Sequence, residues 1–331
     1  MKKPSDFLIQ KCEPSLVQAG IEEASRAAAQ PGRFPQLNSF DRIRLRAADN
    51  LAALAFLRCL TDNRVPHQFS TSPGFSDSAG YFPVIGGRTC IPVAQLISRR
   101  SLIRSLRKQP EQIIQREVYL PERTEWDVFG EEDLYVFAFT SALVTRSREA
   151  IKQAVNAREP LHLLYRMPAE WSLPELWSPL ERLVLKTDLS ESVTLTLHGQ
   201  DGHQQYCEQQ VWLEGRKRTA VSSELFSIGA LGIDRLPKGP VGIHNPASGE
   251  TLLAGPYQWG NVWLYGIEIV FAGYIRRGDF HRQAVRPAIS EALYANPCLA
   301  DERLLSLPVE GLKSLPDLFQ RAAAWAEKSG L

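Results

Sequence analysis

Apolar positions along the chain recur with helical spacing in some stretches and with the two-residue spacing of strands in others, and the changeovers outline its organisation. From Asp41 to Leu60 the residues Ala47, Leu51, Leu54, Ala55 and Leu57 recur near helical spacing. Asp41 stands where an N-cap belongs, and Arg42, Arg44, Arg46 and Arg58 are expected to point to water. Pro66, Pro73 and Gly74 break the next segment. Two short apolar runs, Gly80–Ile85 and Cys90–Ile97, are joined by Gly86-Gly87-Arg88. This predicts a hairpin, because paired glycines accept the positive φ angles of a tight turn. Ser98 to Lys108 sets Leu102, Ile103 and Leu106 on one face of a predicted helix and Arg100, Arg104 and Arg107 on another. Leu134–Phe139 is short, continuous and aromatic, follows Glu131, Glu132 and Asp133, and reads as a buried strand. Ser147–Ala157 reads as a helix.

The texture changes after Pro160, where Pro168, Pro174, Pro179, Trp171 and Trp177 mark a boundary. Leu180 to Ala254 is β-rich: Val193, Leu195 and Leu197 alternate with threonines, Gly199-Gln200-Asp201-Gly202 is a turn, and Val211 and Leu213 close the next strand. Short strands around Phe226–Ile228 and Val241–Ile243 follow, and this density of turns predicts a β-sandwich. A long apolar strand, Val262–Tyr274, resumes after Pro256 and Gly260. Helices are expected near Phe280–Tyr294 and Leu315–Glu327, the second capped by Ser314 and opened by Pro316.

Taken together, the helix Asp41–Leu60, the hairpin at Gly86-Gly87-Arg88, the strand Leu134–Phe139 and the run Gly273-Tyr274-Ile275-Arg276-Arg277-Gly278-Asp279-Phe280 resemble the PD-(D/E)XK, restriction-endonuclease-like fold. The resemblance implies an α/β (α+β) fold: a mixed sheet flanked by helices, with an antiparallel β-sandwich inserted between its last core strands. The insert, through Gly199–Gly202, Phe226-Ser227-Ile228 and Gly239-Pro240-Val241-Gly242-Ile243-His244, looks like the immunoglobulin-like sandwiches added to phage and bacterial surface or tail proteins. The expected parts are residues 1–160 for the first portion of the nuclease-like core, 180–255 for the sandwich, and 260–331 for the last core strand and C-terminal helices.

That family cuts phosphodiesters with Mg²⁺ held by two acids, one on each hairpin strand, and a lysine two residues beyond the second acid. A hard cation needs oxygen ligands, and the charge developing in the reaction needs a cation beside it. Registered on the Gly86-Gly87 turn, those positions are Tyr81 or Phe82, Pro92 and Ala94, none of which can do the work. The resemblance therefore implies a degenerate core with no catalytic residue and no cofactor. Its role would be binding or scaffolding, as a subunit of a nucleic-acid-processing or defence assembly with protein partners. The alternative is a Mg²⁺-dependent endonuclease built from displaced acids, with Asp77, Glu117, Glu122 and Asp133 as the candidates. Another alternative is a recognition protein acting through its sandwich.

Charge narrows the partners. The formal net charge is +1, so attraction to nucleic acid must come from a local patch, and Arg99, Arg100, Arg104, Arg107 and Lys108 supply a basic stripe that could follow phosphates. Gly215-Arg216-Lys217-Arg218 reads as a basic hairpin turn. His198, Asp201 and His203 surround one turn and combine ligand types a transition metal accepts, but a polar turn explains them more simply, and no metal site is expected. The five cysteines (Cys12, Cys59, Cys90, Cys207, Cys298) are scattered and odd in number, which fits a reducing cytoplasm. The longest apolar stretches fall short of the roughly 20 residues of a spanning helix, so no membrane partner is expected.

Overall fold

The computed structural model describes residues 3, 6–29, 40–70, 82–122, 129–144, 149, 152, 156, 162–233, 235–262, 264–287 and 303–329. In chain order the elements are β1 (Leu8–Lys11), α1 (Pro14–Ala29), α2 (Phe40–Asp62), β2 (Gln68–Ser70), β3 (Phe82–Ile85), β4 (Arg88–Ile97) and α3 (Arg100–Lys108). A 3-10 turn at Pro110–Gln115 leads to β5 (Glu117–Pro121) and β6 (Leu134–Val144). Next come β7 (Leu163–Arg166), α4 (Ala169–Ser172), β8 (Glu181–Thr187), β9 (Val193–Gln200), β10 (Tyr206–Leu213) and β11 (Arg218–Ser223). β12 (Ser227–Ile233), β13 (Val241–His244), β14 (Thr251–Ala254) and β15 (Gly260–Asn261) precede β16 (Leu264–Arg276) and α5 (Arg277–Gln283). β17 (Leu304–Pro308), a 3-10 turn at Val309–Gly311 and α6 (Leu315–Ser329) end the series. The chain is thus mixed α+β, and it divides into two compact units: Met1–Gly20, Leu45–Val144 and Leu264–Leu331, and Ile21–Arg44 with Thr145–Trp263.

The first unit is built on a six-stranded sheet of order β1-β16-β6-β4-β3-β2, in which β4 and β6 pair in parallel and the other neighbours antiparallel. Leu134–Phe139 and Ile267–Tyr274 therefore lie side by side in one sheet. Both faces of the central strands are buried, which is why β6 reads as an unbroken apolar run rather than an alternating one. Ile91, Val93, Tyr135, Phe137 and Phe139 share one core with Ile103 and Leu106 of α3 and Phe280 of α5. The intervening residues face α2, whose Phe56 ring lies 5.7 Å from that of Phe271. Small residues such as Ala47, Ala48, Ala52 and Ala55 let that helix lie close, all of them fully or almost fully buried.

The β3–β4 hairpin forms as its glycines predict, with φ of +56° at Gly86 and +74° at Gly87. The Trp325 ring of α6 sits over Gly86, where an added Cβ would be 2.1 Å from a ring carbon. Pro92 fits because its nitrogen faces away from β6, on the same side as Ala94, whose amide instead donates to Asp49 of α2 at 2.8 Å. On the other face the Gln95 side chain acts as a short length of strand: its amide donates to the Tyr119 carbonyl (2.9 Å) and its oxygen accepts from the Tyr119 amide (2.8 Å).

The second unit is a sandwich of a five-stranded sheet, β10-β9-β12-β7-β15, and a four-stranded sheet, β11-β8-β13-β14, with antiparallel pairing throughout. Leu183, Leu185, Val193, Leu195, Leu197, Val241 and Ile243 alternate inward and are buried, as two packed sheets require.

Several expectations need revision. The unit holding the sandwich is wider than residues 180–255, since β7 pairs with β12 and residues 21–44 belong to it. Arg44 and Arg46 are buried rather than turned to water. The Arg44 guanidinium donates to the Asn261 carbonyl and pairs with Asp41, each at 2.7 Å. The strand expected at Phe226–Ile228 begins at Ser227 and continues to Ile233 through an irregularity between Ile228 and Ala230. The helix expected over Phe280–Tyr294 starts at Arg277 and stops at Gln283, because Val285 then exchanges backbone hydrogen bonds with Ser306. Residues 288–302 lie outside the described residues, and of the helix expected at Ser147–Ala157 only 149, 152 and 156 are described, all helical.

Candidate nucleic-acid interface

α3 follows directly from the end of β4, and its sequence allows only one way to sit. Ile103 and Leu106 are buried in the core beneath it, Leu102 packs at the margin, and Arg100, Arg104, Arg107 and Lys108 are left exposed. Arg99, also exposed, holds the N-cap position in extended backbone without a side-chain cap. Arg107 and Lys108 lie in the last turn, where cations meet the negative end of the helix dipole. Below them the chain is fixed: the Gln109 amide donates to the Ser105 carbonyl, and Ser105 Oγ donates to Gln112 at 2.6 Å. Arg107 also reaches Glu268 of β16 at 3.2 Å, and Lys11 of β1 is the register partner of Glu268. The basic residues named from sequence therefore share one short, anchored helix and the residues leading into it.

The hairpin positions tell the opposite story. Phe82, Pro92 and Ala94 are buried, and Tyr81 and Asp77 lie outside the described residues. The other displaced acids have local tasks. Glu122 pairs with Arg286 at 2.6 Å. Asp133 accepts the Thr89 amide on one oxygen and the Gly130 amide on the other, both at 2.7 Å, tying the hairpin to the start of β6. Glu117 lies on β5, opposite Pro308 of β17. Among the described residues no group of three or more His, Cys, Asp and Glu side chains is placed to hold a metal ion.

The run from Gly273 to Phe280 is structural. Gly273, at φ +141°, sits at a register shift between β16 and β6. Arg276 then grips Asp279 at 2.6 Å and Glu132 at 3.1 Å, and Arg282 closes on Asp279 at 2.6 Å. These partners hold the Asp279 carboxyl below its usual range, Arg276 most strongly.

In the second unit, His198, Asp201 and His203 do not converge. Asp201 accepts the amides of His203 and Gln205, each at 2.9 Å, and so closes its own turn. His198 is buried and its Nδ1 lies 2.8 Å from the Tyr206 oxygen. Tyr206 spends its only proton on Glu208 at 2.9 Å, so Nδ1 carries the hydrogen in this pair. Burial lowers the His198 pKa to about 4, with Arg26 assisting and Glu208 opposing. Sequence reasoning missed both this chain and Asp49, whose carboxyl burial raises to about 7 against the pull of the Ala94 amide and Arg46. The only signal of Asp49 was an acid within the apolar stretch from Ala47 to Leu51.

Elsewhere in the second unit the rings of Trp177 and Phe226 lie 5.7 Å apart, with Leu173 and Leu176 exposed in the same connecting segment as Trp177. Cys12, Cys59, Cys90 and Cys207 are free thiols, and burial raises the pKa of each. No helix of the described residues is long and apolar enough to cross a membrane. No protein-family model, curated protein or solved structure matches the chain.

Proposed function

We propose that the protein binds nucleic acid without cutting it, as a binding or scaffold component built on a degenerate PD-(D/E)XK-like core. The observation that carries this reading is α3: Arg100, Arg104, Arg107 and Lys108 are exposed on a helix whose other face is locked into the core. Residues three or four apart share a helix face, and a guanidinium presents a planar fork that matches a phosphate. The absence of cutting rests on the buried Phe82, Pro92 and Ala94, and on the engagement of Glu122 and Asp133 elsewhere. The near-neutral net charge of +1 makes the attraction local, so binding should weaken steeply with salt.

The test is a titration of labelled duplex across a salt series, with wild type and with Arg100, Arg104 and Arg107 changed together to Gln. Each lost phosphate contact removes about 0.9 from the log–log salt slope, so the variant should be shallower by about 3. A variant with wild-type slope and affinity would remove α3 from the interface.

A further inference from the structure

We propose that the open face of the four-stranded sheet is a second surface for a nucleic-acid duplex, gripping its phosphate backbone through Arg182, Lys186, Arg216 and Arg218. The inference rests on the nucleic-acid reading above and extends it to the second unit. Alternation along β8, β11, β13 and β14 sends Leu183, Leu185, Val241, Ile243 and Ala254 into the sandwich. It sends Arg182, Val184 and Lys186 of β8, with Arg218, Ala220 and Ser222 of β11, to the other face. Gly242 and His244 of β13 and Thr251 and Leu253 of β14 continue that face, and no Asp or Glu stands among its strand positions. Arg182, Lys186 and Arg218 are exposed, so none of the described residues covers them.

The basic turn before β11 belongs to the same surface and is held rigidly. Arg216 adopts φ +59°, and its amide donates to the Thr187 carbonyl at the end of β8, 3.2 Å away. Gly215 lies so close to the Ser190 carbonyl that an added Cβ would be 2.5 Å from it. The turn is thereby pinned beside Lys186, the register neighbour of Arg218. Two of the marginal carboxylates are matched to lysines, Asp188 to Lys186 at 3.5 Å and Glu214 to Lys217, while Glu181, Glu224 and Glu250 stand at the strand ends. Both pairs are exposed and open readily to a competing phosphate.

The chemistry of the face selects its occupant. Three of the four cations are arginines, which suit bidentate contact with phosphate. The face carries one small ring, the His244 imidazole beside Val184, held at Nδ1 by Thr251 Oγ1 at 2.9 Å. With no Phe, Tyr or Trp on its strand positions, it offers no run of rings on which the bases of a single strand could stack. Its one exposed large apolar side chain, Leu253, stands on the edge strand β14, so the centre holds no large apolar anchor of the kind that carries protein–protein affinity. The outer face of the five-stranded sheet differs, with Glu208 and the exposed Trp212 on β10.

The experiment is the same salt titration on the full chain with Arg182, Lys186, Arg216 and Arg218 changed together to Gln, beside the α3 triple variant. The sheet variant should keep the wild-type melting temperature, bind duplex at least tenfold more weakly, and show a salt slope shallower by about 3 to 4. Wild-type duplex affinity in the sheet variant, with loss in the α3 variant, would overturn this inference and leave the α3 reading intact. Loss in the sheet variant alone would do the reverse. Binding of single strand but not duplex, or of neither, would overturn it as well.

Discussion

His198 and Asp49 are buried ionisable groups whose burial acts on stability with opposite signs. His198 goes from an ordinary 6.5 to about 4 in the fold, so the unfolded chain takes up its proton first as pH falls. Its stabilising contribution is complete above about pH 6.5 and is lost as pH drops toward 4, about 3 kcal/mol across that window. Asp49 is raised from 3.8 to about 7, so its contribution is complete below about pH 4 and is lost as pH climbs through 7. Asp49→Asn keeps an acceptor for the Ala94 amide and should raise the denaturation midpoint at pH 8, with no gain at pH 4. His198→Gln should flatten the loss between pH 6.5 and 4. Urea melts of the two variants at a series of pH values separate the effects, which partly cancel in the wild type. Gly86 tests packing at the same scale. Its positive φ and the Trp325 ring above it predict that Gly86→Ala costs about 2–4 kcal/mol. Gly87, at φ +74° with open space around it, should accept Asn for less than about 1 kcal/mol. Neither buried acid–base feature was legible in the sequence. Asp49 follows no period of its own, and His198 drew notice beside Asp201 and His203, when its partner is Tyr206 from the paired strand β10.

Elements were the most legible level. The paired glycines set the β3–β4 hairpin, and the continuous aromatic run set β6, because each signal is local chemistry with one structural answer. α5 was not legible in the same way: its start is set by Arg276 gripping Asp279, and its end by pairing of Val285 with Ser306, about twenty residues away. α3 was legible in its faces, since Ile103 and Leu106 fix which residues must face out, though it begins at Arg100 rather than Ser98 and Leu102 is only partly buried. That separation yields a stability prediction. Ile103→Ala or Leu106→Ala should cost about 2–5 kcal/mol, as large-to-small changes in a packed core do. The Arg100, Arg104 and Arg107 triple Gln variant should stay within about 1 kcal/mol of wild type. Its Arg107–Glu268 pair is exposed on the arginine side, and such pairs contribute little. Chemical denaturation checks both, and a triple variant that unfolds would mean the arginines hold the helix rather than a ligand.

At the scale of the molecule, prolines and a change of period announced that a β-rich section interrupts an α/β one, and β6 and β16 do pair across it. The extent of each unit was not legible, because residues 21–44 lie far from the sandwich in sequence. The net charge of +1 gave no sign of a basic face, whereas local runs of arginine pointed to α3 and to the turn before β11; that Arg182 and Lys186 of β8 share a face with Arg218 follows only from strand register. We propose that the chain grips a duplex by its phosphates and lacks the groups to cleave it. One measurement tests both halves together: end-labelled duplex incubated with the protein at low salt in Mg²⁺ or Mn²⁺, resolved once on a native gel and once on a denaturing gel. The prediction is a retarded complex on the native gel, dispersed by added salt, containing full-length strands on the denaturing gel. Shortened strands whose appearance is abolished by Asp77→Ala, or a duplex that is never retarded, would contradict it.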